Sequence, residues 1–167
     1  MHSHERAVSL TELLIILTVV AIGSLVVAPN FSALIQRHRH QALEELLKHA
    51  LQSARTRAVL TGKTTEVCAS ANGQTCTGPW MQGWIIRDLS SSSVLQQFAA
   101  TPQVHLQWTG YSNSIRFHGN GTSPISNGRF YSCYQQQIFW QLVLNRQGRI
   151  RSAVPQENRS YWHLCVQ

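Results

Sequence analysis

The chain is poor in acid. Seven Asp and Glu stand against fourteen Lys and Arg, and the formal net charge is +7. So few carboxylates are poor material for a paired-carboxylate active site. Lysine is scarce as well, since only Lys48 and Lys63 occur, and the basicity is therefore mostly that of arginine. There is no C-x-x-C pair, which removes the usual basis of a thiolate zinc site. There is no G-x-S-x-G run, which removes the nucleophile elbow of a serine hydrolase. His38 and His40 lie two apart on a predicted helix and do not share a face. The eight histidines are accordingly expected mostly at the surface. No repeat of fixed period is visible. These absences leave no catalytic residues, no metal and no cofactor to assign, and they argue against an enzyme.

What is present is unevenly placed. From Thr101 onward there are six arginines and one acid, Glu157. That asymmetry points to an anionic partner, with nucleic acid and lipid headgroups as the main candidates. The 167 residues suffice for one anchor helix and one domain of about 100 residues. The four cysteines are Cys68, Cys76, Cys133 and Cys165. An even number behind an export-type N-terminus reads as two disulfides, with three possible pairings. Local closure favours Cys68–Cys76, bracing the loop ASANGQT, and Cys133–Cys165, fastening a C-terminal strand.

The N-terminus carries the strongest single signal. Arg6 closes a short polar leader, and Leu13 to Ala28 is an almost unbroken apolar run with Glu12 at its head. Burying an ionised group in a membrane costs about 2.5 kcal/mol or more. A carboxylate there calls for a partner charge, and with it a helix that passes from lipid into an assembly. A secretory signal would place its cleavage site after the apolar core, whereas here the small residue precedes it. The segment resembles the N-terminus of type IV prepilins, a small residue followed by F-T-L-x-E. The matching residues are Ala7, then Val8, Ser9, Leu10, Thr11 and Glu12, with Ala7 and Val8 replacing the family's usual Gly and Phe. The resemblance implies that a prepilin peptidase cuts between Ala7 and Val8 and methylates the new amine of Val8. It also implies that Glu12 pairs with the amine of a neighbouring subunit, an attraction that low dielectric strengthens.

Beyond the apolar run, Pro29 is expected to kink the helix. An amphipathic segment follows, with Leu43, Leu46, Leu47, Ala50, Leu51, Ala54 and Ala58 at i, i+3, i+4 spacing. Gly62 is the expected stop, so the helix runs from about Ser9 to Leu60. Short β-branched and aromatic segments then alternate with Gly, Asn, Ser and Pro. They predict strands over 64–68, 84–87, 94–98, 104–108, 114–117, 130–134, 138–144, 150–153 and 161–166. The fold class is α+β, a long helix packed on antiparallel sheet. Its parts are a leader (1–7), a transmembrane and assembly helix (8–30), an amphipathic helix (31–62) and a β-rich domain (63–167).

Two longer motifs extend the resemblance over the whole chain. VCASANGQTCTGPWMQGWII, Val67 to Ile86, resembles the C-x-S-x-(D/N)-G-x-x-C…W-x-x-G-W signature of the FimT/FimU/GspH minor pilins and pseudopilins. IRFHGNG…NGRFYSC, Ile115 to Cys133, resembles that family's next block. The resemblance implies a type IV pilin-like fold, a single-pass inner-membrane anchor with a periplasmic globular domain, and assembly with other pilins into a pilus.

The strongest functional patch is Asn145-Arg146-Gln147-Gly148-Arg149-Ile150-Arg151. Asn145–Gly148 reads as a turn. In an extended segment leaving it, Arg149 and Arg151 share one face, about 6.6 Å apart, and Ile150 takes the other. A guanidinium fork suits phosphate, and Gly148 lets a nucleic-acid backbone come close to the main chain. Gly148-Arg149-Ile150-Arg151 is similar to the G-R-x-R motif of FimT-type minor pilins, which bind DNA in natural transformation. The match implies Arg149 and Arg151 as phosphate contacts on double-stranded DNA and Gly148 as the turn residue. Arg146 is adjacent and outside the motif. Phosphate contacts read no sequence, so binding is expected to be non-specific. The other readings are a structural minor pilin or pilus-tip initiator, a GspH-type pseudopilin of type II secretion, and a signal-anchored periplasmic enzyme.

Overall fold

The computed structural model describes residues 9–99 and 103–166, and for 23–30 the backbone alone. Ala7 and Val8 lie outside the described residues. The chain divides into two units, Met1–His38 and Arg39–Gln167.

Helix α1 (Leu10–Thr61) is 52 residues long. Its helical backbone continues through Pro29. In the first unit, Leu10, Leu13–Leu17, Val19, Val20 and Ile22 are each more than half exposed. Glu12 is exposed among them. Among the described residues no helix is long and apolar enough to cross a membrane. The apolar sequence continues through 23–28, whose side chains are outside that set.

In the second unit the apolar stripe does what its spacing dictates. Leu43, Leu47, Ala50, Leu51, Ala54 and Ala58 are at most 2% exposed. Each buried leucine contributes roughly 1.5–3 kcal/mol, and the alanines are fully buried in the same core. Leu46, placed in the stripe by the spacing, is 38% exposed and belongs to the solvent side. His40 departs from its expected surface position. It is buried, its Nδ1 lies 2.8 Å from Ser132 Oγ, and its ring packs on Tyr134 and Phe139. Gly62, at φ +68°, ends the helix.

Among the described residues eight strands follow α1: β1 (Thr65–Ala69), β2 (Gly83–Asp88), β3 (Val94–Ala99), β4 (Leu106–Gly110), β5 (Ser114–Phe117), β6 (Gly128–Tyr134), β7 (Gln137–Leu144) and β8 (Ile150–Ser152). They form two antiparallel sheets, β3-β2-β1-β5 and β4-β6-β7-β8. The chain therefore changes sheet between β3 and β4, between β4 and β5, and between β5 and β6. Both sheets contribute to one core with α1. Val67, Trp84, Ile86, Ile115 and Phe117 come from the first, and Leu106, Phe130, Trp140, Leu142 and Leu144 from the second. Trp80, from a short 3-10 turn (Trp80–Gln82), packs edge-on against Phe130 in the same core.

The serine run is a hairpin tip. Asp88 Oδ1 accepts hydrogen bonds from the backbone and hydroxyl of Ser90 and from the backbone of Ser91, and this holds the Asp88 carboxyl down at about 2.

The C-terminus corrects the sequence reading. Instead of a strand over 161–166, β8 is followed by helix α2 (Pro155–Ser160) and a 3-10 turn (Trp162–Cys165). Pro155 stands at the start of α2 with Glu157 in its first turn, both favourable there. Tyr161 and Trp162 give the tail a strand-like composition, but its contacts lie on the face of the second sheet rather than along an edge. Cys68 is bonded to Cys76, and Cys133 to Cys165. The second bridge ties this helical tail to β6, closing a 32-residue separation. A loop of that size is worth about 3–4 kcal/mol in the chain-entropy account.

Candidate nucleic-acid interface

The hairpin between β7 and β8 is braced by its own sequence. Asn145 Oδ1 accepts from the Arg149 amide (2.9 Å), and the Gly148 amide donates to the Asn145 carbonyl (2.9 Å). Gly148 sits at φ +73°, the left-handed position that this loop requires and that costs other residues about 1–2 kcal/mol.

The turn is also docked from behind. The Ser123 amide donates to the Arg146 carbonyl (2.9 Å), and Arg55 Nε of α1 donates to the Gly121 carbonyl (2.9 Å). A Cβ on Gly148 would come 2.2 Å from that carbonyl oxygen. Gly148 is buried. Its bare α-carbon faces the protein, and the close approach it permits is to the 121 loop.

The register places the arginines. On β6, β7 and β8, Arg129 lies opposite Val143, and Val143 opposite Arg151. Opposed residues share a face, so Arg129 and Arg151 stand on the same side of the second sheet, away from α1. Ile150, opposite Leu144, packs against the core.

The three hairpin arginines are then in different states. Arg149 is exposed and its guanidinium has no hydrogen-bond or ion-pair partner among the described residues. Arg146 is exposed, with Nε 3.4 Å from Asn127 Oδ1. Arg151 is engaged by Glu157 of α2. Its Nη1 donates to Oε2 (2.8 Å) and its Nη2 to Oε1 (3.1 Å). The same hydrogen bonds raise Arg151 and, outweighing a little desolvation, hold the Glu157 carboxyl below its ordinary value.

The tail that brings Glu157 here is anchored by other groups. Buried Gln141 donates through Nε2 to Asn158 Oδ1 (2.9 Å) and accepts at Oε1 from Arg129 Nη1 (2.9 Å). The Arg129 guanidinium lies 3.6 Å from the centre of the Tyr161 ring, a cation–π contact. Sequence spacing does not disclose Glu157 as a counter-ion. Its one signal is being the sole acid from Thr101 onward.

A second arginine cluster lies on the first sheet. Glu66 of β1 is opposite Arg87 of β2 and Arg116 of β5. Its carboxylate, 2% exposed, accepts from Arg87 Nε (2.7 Å), Arg116 Nε (2.8 Å) and Ser114 Oγ (2.8 Å). Burial alone would raise the Glu66 carboxyl. The hydrogen bonds from Arg116, Ser114 and Arg87 outweigh it and hold it below the ordinary value. Glu66, Cys68 and Cys76 also converge within 4.8 Å. Both sulfurs are spent in the disulfide and the carboxylate on two guanidiniums, so the donor set does not suit a metal ion.

The profile of the GspH family, described as type II transport protein GspH, matches residues 45–148. That is more than half of the chain, and it ends at Gly148, before Arg149 and Arg151. Among curated proteins none matches significantly. Among solved structures, crystal structures of the type IV minor pilin FimU of Pseudomonas aeruginosa in two crystal forms are similar. One has a TM-score of 0.59 at 23% identity, covering 71% of this chain and 91% of that one. The other has a TM-score of 0.56 at 22% identity, covering 68% and 92%. At that identity the likeness speaks to the fold, a long N-terminal helix on antiparallel sheets.

Proposed function

The chain belongs to the GspH family, and from that premise we propose that it is a minor type IV pilin that binds double-stranded DNA non-specifically for uptake in natural transformation. The observation that carries this reading is Arg149, an exposed guanidinium without a partner among the described residues, on a hairpin whose backbone is fixed by Asn145, Gly148 and Arg55. Arg151 and Arg146 are the neighbouring contacts, and Gly148 shapes the turn without touching DNA.

The N-terminal segment serves assembly in this reading. A prepilin peptidase cleaves between Ala7 and Val8 and methylates Val8. The apolar helix over 8–30 holds the protein in the bacterial inner membrane with its globular part in the periplasm. Glu12 pairs with the amine of a neighbouring pilin. The exposed apolar side chains from Leu10 to Ile22 support such a surface, since a patch of that extent is covered by lipid or protein.

The test is DNA binding by the full chain in detergent micelles, read by gel shift at low salt. Arg149→Ala with Arg151→Ala is expected to weaken binding strongly and to flatten the log K against log salt slope by about 1.8, at about 0.9 per phosphate contact. No binding by the unaltered chain at low salt overturns the reading.

The family's description favours a second reading, a GspH-type pseudopilin of type II secretion or a purely structural initiator. Deletion of the gene separates them. Lost pili or lost secretion with unchanged DNA uptake selects this second reading.

A further inference from the structure

Arg149 and Arg151 carry the same charge and stand two residues apart, yet of the two only Arg149 lacks a partner among the described residues. The fork of Arg151 is occupied by both oxygens of Glu157. A carboxylate in that bidentate position uses the same donors that a phosphate would use. Glu157 Oε1 is also 3.9 Å from Arg129 Nη1, so the carboxylate lies between two guanidiniums.

We propose that Glu157 sets the affinity of the hairpin for polyanions, by holding the fork of Arg151 until nucleic-acid phosphate displaces its carboxylate toward Arg129. This inference rests on the DNA-binding reading above and adds to it an internal competitor.

Three observations support the exchange. The pair is accessible, with side-chain exposures of 48% for Arg151 and 22% for Glu157, so phosphate reaches it without unfolding. The tail does not depend on Glu157 for its place, because Asn158 is held by Gln141, Tyr161 lies on Arg129, and Cys165 is bonded to Cys133. And Arg129 offers the released carboxylate a second cation on the same sheet face. Arg149 makes the first contact with the polyanion, and Arg151 joins when the ligand brings a second phosphate within reach. An isolated small anion gains little, since it must compete with a carboxylate already in place.

The experiment measures anisotropy of a labelled duplex of mixed sequence, titrated with the full chain in detergent micelles over a salt series. The variants are Glu157→Gln, Arg151→Ala, the two together, and Arg149→Ala. Thermal melts check that each is folded. Glu157→Gln is expected to tighten binding about two- to fivefold, the ratio an exposed ion pair is worth. In the Arg151→Ala background the same substitution is expected to change nothing beyond error. Equal tightening in both backgrounds is a general charge effect and overturns the proposal. Glu157→Gln binding like the unaltered chain, while Arg149→Ala is weakened, also overturns it and leaves the DNA-binding reading standing. If neither the unaltered chain nor Glu157→Gln binds, both fall.

Discussion

The two sheets each carry a pair of arginines around one glutamate, and the two clusters differ in kind. On the first sheet, Glu66 is buried, lies in register between Arg87 and Arg116, and accepts hydrogen bonds from side chains of both neighbouring strands. On the second sheet, Glu157 is delivered by a short helix above the strands, and its two cations are unequally engaged. The comparison teaches that composition does not separate structural from functional charge. A carboxylate taken out of water is committed to its partners, because removing either leaves an uncompensated charge. A carboxylate at the rim exchanges, because water and competing anions reach it.

The comparison is most easily broken by removing each acid in turn. Glu66→Ala is expected to cost about 3 kcal/mol in urea unfolding, the low end for breaking a buried ion pair, since Arg87 and Arg116 reach solvent. Glu157→Ala is expected to cost less than about 1 kcal/mol. Equal costs would erase the distinction between the clusters.

Gly148→Ala probes the support of the hairpin. The positive φ and the 2.2 Å approach to the Gly121 carbonyl predict a loss of about 2 kcal/mol or more, read as a lowered Tm. DNA affinity would fall as the turn moves. An unchanged Tm would mean that the turn is free of the 121 loop.

Acid sharpens the same contrast. The Glu66 carboxyl is held below its ordinary value of 4.5 in the folded chain. Its stabilisation is therefore complete above that value and is lost as pH falls through the folded pKa. Stability measured from pH 5 downward should fall steeply in the unaltered chain, less so in Glu66→Gln, and almost as before in Glu157→Gln. A separate loss belongs to His40. Desolvation lowers it from 6.5, so below 6.5 the unfolded chain binds a proton that the folded chain refuses, and stability falls as pH drops. His40→Gln should remove that component, and a loss that persists would place it elsewhere.

Much of this was legible in residue order. The β-branched and aromatic content of 114–117 and 138–144, bounded by turn residues, names two strands almost to the residue, and the stripe from Leu43 to Ala58 names the helix face that meets the core. Leu46 was misassigned because the spacing rule admits a position at the stripe's margin, and only the width of the sheet surface decides which side it takes. His40 was misread because nothing local distinguishes a buried histidine from an exposed one. Its partners, Ser132, Tyr134 and Phe139, are some ninety residues away. The tail was misread because its aromatic composition mimics a strand.

Residue order alone determined the long helix, the short strands, an even set of cysteines and an arginine-rich C-terminal half. These are properties of local periodicity and composition. Tertiary structure alone decided which hairpin arginine is without a partner among the described residues. Glu66 and Glu157 are single carboxylates near pairs of guanidiniums, and their burial and choice of partner come from strand register and from a tail folded back over the sheet. Such contacts link distant parts of the chain, and no local rule of spacing encodes them.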